Sequence, residues 1–399
     1  MRIEFRPSRA ACAVGLLVIV ASAPLPAVER TVRIATFNVQ ELNWIKLQEV
    51  DGAGRGTHPQ LVAAAEIVQR VRPDVLLLNE IDYTGPVDAD GQPPADRDAL
   101  GEFLKRYLRH SQNGAEPIEY PHRFYRPSNT GVPSGLDFNN DGDANGPNDA
   151  YGFGRYPGEY AMALVSRFPI DAAHARTFRK LLWKDVPSHV MPDGRDGRPA
   201  FYAPATIAAF RLSSKCHWDV PVTIDGQTVH LLCSHPTPPV FDGPEDAHGR
   251  RNHDELRFWS DYLTGGDAAK WIRDDAGRTG GLPEDAAFVV LGDLNAEPVR
   301  AEAAYGRRPI EWLFRHPRVF DPQPQSPGGR ADSNPAGLAN YLPFKTSHFG
   351  RLDYALPSRN LAVKESGVFW PGPTEPLHAA AETASDHRLV WVDVLISGQ

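Results

Sequence analysis

The stretch Val289-Val290-Leu291-Gly292-Asp293-Leu294-Asn295 decides how this chain reads. An apolar run that closes on Gly-Asp is a buried strand leaving the core. Asp293 and Asn295 stand two apart, so strand alternation points both side chains to one side, past the sheet edge. A carboxylate and an amide placed there can handle a water molecule and a metal-bound oxyanion. Ser385-Asp386-His387, some ninety residues on, adds an anionic ligand and a proton-bearing imidazole. Metal-assisted hydrolysis of a phosphate ester suits both groups.

Outward from that strand the chain alternates strands and helices. Arg33 to Val39 alternates like a first strand, and Leu61, Ala65, Val68 and Val71 recur with helical spacing until Pro73. Val75 to Leu78 is a buried strand that delivers Asn79 and Glu80. Strand, helix, strand within fifty residues begins an α/β layered domain. Residues 88–156 are rich in Gly, Pro, Asn and Asp apart from a helical piece at Leu100 to Leu108. A core strand follows at Ala161 to Val165, then a loop over 185–199. Strands are expected at Thr206 to Leu212, Val220 to Ile224 and Thr228 to Cys233, with Asp225-Gly226 as a turn. Asn252 and Glu255 resemble a capping pair for a helix carrying Leu256, Trp259 and Leu263, which Gly265-Gly266 ends. A helix at Ile310 to Phe314 and strands at Arg351 to Leu356 and Arg388 to Leu395 complete the series. One domain over residues 31–397, with loop-rich insertions near 88–156 and 185–199, is the expectation.

Residues 1–27 stand apart. Arg2, Arg6 and Arg9 precede a twelve-residue apolar stretch, Ala10 to Ala21, with small-residue cleavage candidates at Ala21-Ser22-Ala23 and Leu25-Pro26-Ala27. This is the pattern of a secretory signal peptide, and the apolar stretch is too short to span a bilayer of roughly 30 Å. The mature protein is expected to be exported, periplasmic or extracellular, with no integral membrane segment. Removing the leader takes the formal charge from -8 to about -10, which argues against a broadly basic nucleic-acid surface. An acidic metal site remains compatible with that charge, since a cation reverses the local field. Cys216 and Cys233 flank the hairpin, either as a disulfide that export permits or as two buried thiols.

Polar residues recur wherever a core strand ends: Asn38, Glu80, His235, Asp293 with Asn295, Asp353, and Asp386 with His387. With their surroundings (Ile34-Ala35-Thr36-Phe37-Asn38, Leu77-Leu78-Asn79-Glu80, Ala163 to Pro169, Ser234-His235, Gly292 to Asn295, Arg351-Leu352-Asp353-Tyr354 and Ser385-Asp386-His387) the chain resembles the endonuclease/exonuclease/phosphatase superfamily from Thr31 to about Leu395. The resemblance implies a four-layer α/β sandwich, two packed mixed β-sheets flanked by helices. It implies that Glu80, helped by Asn38 and Asp386, binds a divalent cation, Mg²⁺ first and Mn²⁺ or Ca²⁺ as alternatives. It further implies that Asp293 orients or deprotonates water, that Asn295 holds phosphate or water, that His387 binds phosphate with Asp353 fixing its tautomer, and that His235 acts on the phosphate or leaving oxygen. Relatives that use a His pair generally give the first a carboxylate partner; Glu159 and Tyr160 are the candidates near the middle strand.

Two segments carry paired readings. Asp137, Asn139, Asp141 and Asp143 alternate like a calcium loop with Gly142 at the turn, yet Asn148 stands where an EF-hand has Glu. The loop is thus either a structural Ca²⁺ site or a solvated Asx-rich turn. Residues 236–254, with Asp242, Glu245, Asp246, Arg250, Arg251 and His253, form either a cleft wall or a polar connection. The function these observations favour is an exported metal-dependent phosphoesterase acting on a small-molecule, lipid or nucleic-acid phosphoester, with no obligate protein partner evident. The alternative is an extracellular nuclease served by a basic patch at Arg176, Arg179, Lys180 and Lys184. A non-catalytic binding domain would require a lost ligand or base, and none is missing.

Overall fold

The computed structural model describes residues 1–4, 29–87, 92–299, 306–332 and 341–398. Apart from residues 1–4, the expected leader lies outside the described residues. No described helix is long and apolar enough to cross a membrane.

Among the described residues, eleven strands form two mixed sheets. The first joins β1 (Glu29–Leu42), β2 (Val75–Ile81), β3 (His122–Tyr125), β4 (Ala161–Ser166), β10 (Ala362–Val368) and β11 (Val390–Ser397) in the order β10-β11-β1-β2-β4-β3. The second joins β5 (Arg176–Thr177), β6 (His217–Ile224), β7 (Gln227–Ser234), β8 (Ala287–Asp293) and β9 (Asp353–Pro357) in that order. Only β1 with β2 and β7 with β8 run parallel.

Alternation along the strands builds four layers. Ile34, Leu77 and Leu164 of the first sheet meet Val220, Leu231, Val289 and Leu291 of the second in a central core. The opposite faces carry Phe37, Leu76 and Leu78 against Leu61, Ala65 and Val68 of the helix Pro59–Val71, and Leu232, Val290 and Leu356 against Leu256, Trp259 and Leu263 of the helix Ala247–Thr264. Strands buried on both faces read as near-continuous apolar runs, which is why Val75 to Leu78 and Val289 to Leu291 show no polar alternation. The fold is therefore the expected α/β sandwich.

Several expectations need correction. Thr206 to Leu212 is not a strand: a helix runs Pro204–Ala209, started by a proline at its first turn, where the missing N–H costs nothing. Asn252 and Glu255 are not at a helix start, because the helix begins at Ala247; both lie in its buried interior and spend their side chains on loop backbone. β10 was not expected, since its mostly polar Ala-Val-Lys-Glu-Ser sequence is that of a half-solvated edge strand. Cys216 and Cys233 are buried free thiols. Trp218, not Cys216, faces Cys233 across the hairpin, so the two cysteines are diagonal neighbours at about 7–8 Å, beyond the roughly 4.4–6.8 Å of a disulfide.

Candidate active site

Strand direction explains why the polar strand ends converge. β1 and β2 run parallel and end together, β4 and β11 run opposite and begin there, and β7, β8 and β9 do the same in the second sheet. One edge of the sandwich thus receives Asn38, Glu80, His235, Asp293, Asn295, Asp353, Asp386 and His387.

Asp293 is the hub. Its Oδ2 accepts the Asn38 amide at 3.0 Å and lies 3.5 Å from His235 Nε2 and 3.7 Å from His387 Nε2. Its Oδ1 accepts the Asn295 N–H at 3.0 Å. Asp353, the ladder partner of Asp293, accepts His387 Nδ1 at 2.8 Å and Thr346 Oγ1 at 2.8 Å. The Asn38–Asp293 and His387–Asp353 bonds cross from one sheet to the other, as does the Asp293 N–H to Asn79 Oδ1 at 3.3 Å. Asn295 gives its side-chain N–H to the Pro236 carbonyl at 3.1 Å, leaving its amide oxygen for a ligand.

Irregular backbone aims these groups. The β2–β4 ladder slips between Asn79 and Ile81, and Glu80 at the slip has φ 62°. The β1–β2 ladder slips between Asn38 and Leu42, and Gln40 and Glu41 there have φ 46° and 57°. Asn295 has φ 49°. Left-handed backbone at non-glycine residues costs about 1–3 kcal/mol each and gathers where a site over-determines it. Gly292, at φ 142°, admits no side chain at all: a Cβ would lie 1.9 Å from the Ser234 carbonyl oxygen of β7. Gly292→Ala is expected to destabilise the protein by about 1–3 kcal/mol in a denaturant titration, because backbone must move to admit the methyl.

The electrostatics divide the groups into roles. Burial pushes the Asp293 carboxyl up to about 6, with Asp353 adding to the rise and His387 and the Asn38 hydrogen bond opposing it. Burial also raises Glu80, against the Asn38 bond and the His387 charge. For His387 burial acts downward, but Asp353 and Asp293 outweigh it and hold the imidazolium to about 10. Burial, with Lys215 and His387 as neighbouring cations, drives His235 well below the usual imidazole range. One histidine is therefore charged and the other neutral at pH 7, which separates their uses.

The residues expected to hold a metal offer oxygen atoms. Glu80 is partly buried at the edge, bonded through its carboxylate to the Asn38 amide at 3.0 Å and the Glu41 N–H at 3.2 Å, and Asp386 is partly exposed beside His387. A carboxylate raised by burial and lacking a cationic side-chain bond fits a hard divalent cation held by Glu80 and Asp386. Asn38 differs from the expectation: its oxygen accepts the Gln40 N–H at 3.0 Å, and its nitrogen bridges Glu80 and Asp293. Among the described residues, Asp293, Asp353 and His387 form the only trio of His, Cys, Asp or Glu ligand atoms within 4.8 Å of one another. Such a trio could hold an ion, but the His387–Asp353 bond makes it a hydrogen-bonded relay here.

Other expected positions lie apart. Glu159 is buried against Arg155 and does not partner His235, whose Nδ1 has no hydrogen-bond partner among the described residues. Tyr160 donates to Glu41. Asp137, Asn139, Asp141 and Asp143 turn their oxygens onto N–H groups within their own loop, and their three carboxylates do not converge. In the 236–254 segment, Arg251 binds the carbonyls of Leu212, Tyr151 and Arg211, and Arg250 that of Val190, so they brace loops. In the basic patch, Arg176 is paired with Asp274 at 3.0 Å and Lys184 with Asp185 at 2.7 Å, while Asp275 accepts the backbone N–H of Arg179 and of Lys180. Large apolar side chains are exposed at Ile45, in the short helix Trp44–Leu47, and at Phe153, Tyr156, Phe241 and Phe349.

Sequence reading missed Lys215. In the β6–β7 ladder His217 faces Ser234, so Lys215, two residues before β6 begins, falls at the same edge as His235. Counting the ladder out from the Asp225-Gly226 turn would have found it. Burial draws its ammonium below the ordinary lysine range, against the pull of Glu255, Glu80 and Asp293.

The sandwich gathers a buried Asp, two histidines, one of them bonded to a second Asp, and further carboxylates at one edge. The family model of the endonuclease/exonuclease/phosphatase family matches residues 35–387, and the chain belongs to that family. A structure of an endonuclease/exonuclease/phosphatase protein from Beutenbergia cavernae is 16% identical and aligns over 92% of this chain and 72% of its own, with a TM-score of 0.50. A family protein from Leptotrichia buccalis is 15% identical over 91% of this chain and 99% of its own, TM-score 0.46. A mutant of Staphylococcus aureus beta toxin with bound magnesium ions is 14% identical over 91% and 99%, TM-score 0.42. No curated protein sequence matches the chain.

Proposed function

We propose that this protein is an exported, metal-dependent phosphoesterase that cleaves phosphodiester or phosphomonoester bonds by in-line attack of water. The observation that carries the reading is the surround of Asp293 Oδ2, with an amide at 3.0 Å and two imidazole nitrogens at 3.5 and 3.7 Å. Asp293 takes the proton of the attacking water, and the imidazolium of His387, held by Asp353, faces the charge that develops on the phosphoryl oxygens. Neutral His235 bonds the phosphate or leaving oxygen. Glu80 and Asp386 would hold a divalent cation, Mg²⁺ first, which when bound polarises the phosphoryl group. Export rests on the Arg2-to-Ala27 leader pattern.

Small or amphiphilic phosphoesters suit the site better than nucleic acid. Two of the four basic-patch side chains are committed to carboxylates, and the surface exposes several large apolar side chains. The test is a panel of a chromogenic diester and monoester, phospholipids, inositol phosphates, plasmid DNA and RNA with Mg²⁺. Inertness toward every phosphoester overturns the reading, and cleavage of DNA or RNA alone gives the nuclease alternative.

The rate should fall on both sides of neutrality. Below about pH 6 Asp293 gains a proton and cannot accept one; above about pH 10 His387 loses its charge. A bound cation would move the acid limb lower. Asp353→Asn should bring the alkaline limb down, since it removes the foremost charge holding the proton on His387; a limb that stays put in a pH–rate profile excludes His387 as its source.

A further inference from the structure

We propose that Lys215 is an anion ligand of this site, its ammonium holding a non-bridging phosphoryl oxygen beside Asp293. The inference rests on the phosphoesterase reading and adds the group that receives the substrate's charge. Lys215 is 7% exposed, and among the described residues its Nζ makes no hydrogen bond or ion pair, while the atom itself is not fully sealed from solvent. Lysine is almost never buried without a partner, because an isolated charge out of water is costly. The groups whose charges act on it or feel it are Glu255, Glu80, Asp293, Arg251 and His235.

Glu255 is the obvious structural counter-ion, yet both its oxygens are committed to backbone. Oε1 accepts the Ser214 N–H at 2.7 Å and Oε2 accepts the Thr237 N–H at 2.7 Å. Those bonds grip the chain one residue before Lys215 and two after His235, so one buried carboxylate sets the two side by side at the edge. The Asn129 N–H, bonded to the Lys215 carbonyl at 3.0 Å, fixes the other side of that backbone. Lys215 is thus held in place by everything except its own charge.

Beside the His387 imidazolium, the side chains gathered at this edge are mostly acidic. Glu80, Asp293, Asp353 and Asp386 surround the position where a phosphate would sit, and they repel it. His387 spends its Nδ1 on Asp353 and has only Nε2 to offer a phosphate. An ammonium that has three donors and no acceptor is complementary to a phosphoryl oxygen, and binding such an oxygen would give the buried cation the partner it lacks.

The experiment compares wild type with Lys215→Met and Lys215→Arg, measuring kcat and KM on a chromogenic phosphoester, affinity for inorganic phosphate by calorimetry, and melting temperature. A charged hydrogen bond lost from the bound state predicts KM and the phosphate Kd raised by about 10–100-fold in the Met variant. The Arg variant should recover most of that loss, and the melting temperature of the Met variant should hold or rise. Unchanged KM and phosphate Kd in a Met variant that melts earlier would overturn the proposal and make Lys215 a structural counter-ion. Wild type that hydrolyses no phosphoester but binds phosphate through Lys215 would sink the phosphoesterase reading while sustaining the anion site.

Discussion

An Asp293→Asn enzyme is expected to fold normally and to lose about 10²–10⁴-fold in kcat, the span that a positioned general base contributes. Asn matches Asp in size, so the strand end and its Asn295 turn stay packed. One hydrogen bond is lost, because Oδ2 and Oδ1 both accept N–H groups, from Asn38 and Asn295, and an amide offers only one acceptor. That loss is offset by removing a buried carboxyl that burial already disfavours in its charged form. KM should change little, since the group acts on water and not on the substrate. Circular dichroism and kcat on a chromogenic diester decide the matter: a folded variant of near wild-type rate removes Asp293 from the base role.

Stripping divalent cations with EDTA should abolish turnover, and Mg²⁺ should restore it. The prediction follows from Glu80, a carboxylate that a strained, slipped strand points toward Asp293 with only an amide and a backbone N–H for company. Glu80→Gln should raise the Mg²⁺ concentration needed for half activity by at least about tenfold, the scale seen when a metal site loses a supporting group. Asn38→Ala should do less to metal affinity and more to kcat, because Asn38 binds Glu80 and Asp293 with its nitrogen. Full activity after exhaustive demetallation would refute the metal requirement.

Most of the site was legible because it hangs on strand ends. Asn38, Glu80, His235, Asp293, Asp353 and His387 each follow or begin an apolar run, and the strand directions bring all of them to one edge. What stayed hidden depends on tertiary company. Lys215 precedes its strand, and a lysine there looks like any surface lysine until the hairpin register sets it beside His235. Glu255 and Asn252 look like a cap because capping chemistry and loop bracing use the same acceptors and donors; the helix start at Ala247 separates the two. Pro204 marked a helix start that the apolar residues after it disguised as a strand. The expected partner for His235 failed for a related reason, since the nearby Glu159 is claimed by Arg155 four residues before it.

The two sheets contribute opposite halves of the relay: His387 and Asn38 ride on one, Asp353 and Asp293 on the other. The reacting edge therefore behaves as a vernier, sensitive to how far one sheet slides over its neighbour. A side chain at the inter-sheet seam, such as Val75 or Leu231, touches no substrate. Yet a change of volume there shifts one scale against the other and spoils the alignment at the tip. In this molecule, distant packing and catalytic geometry are one variable.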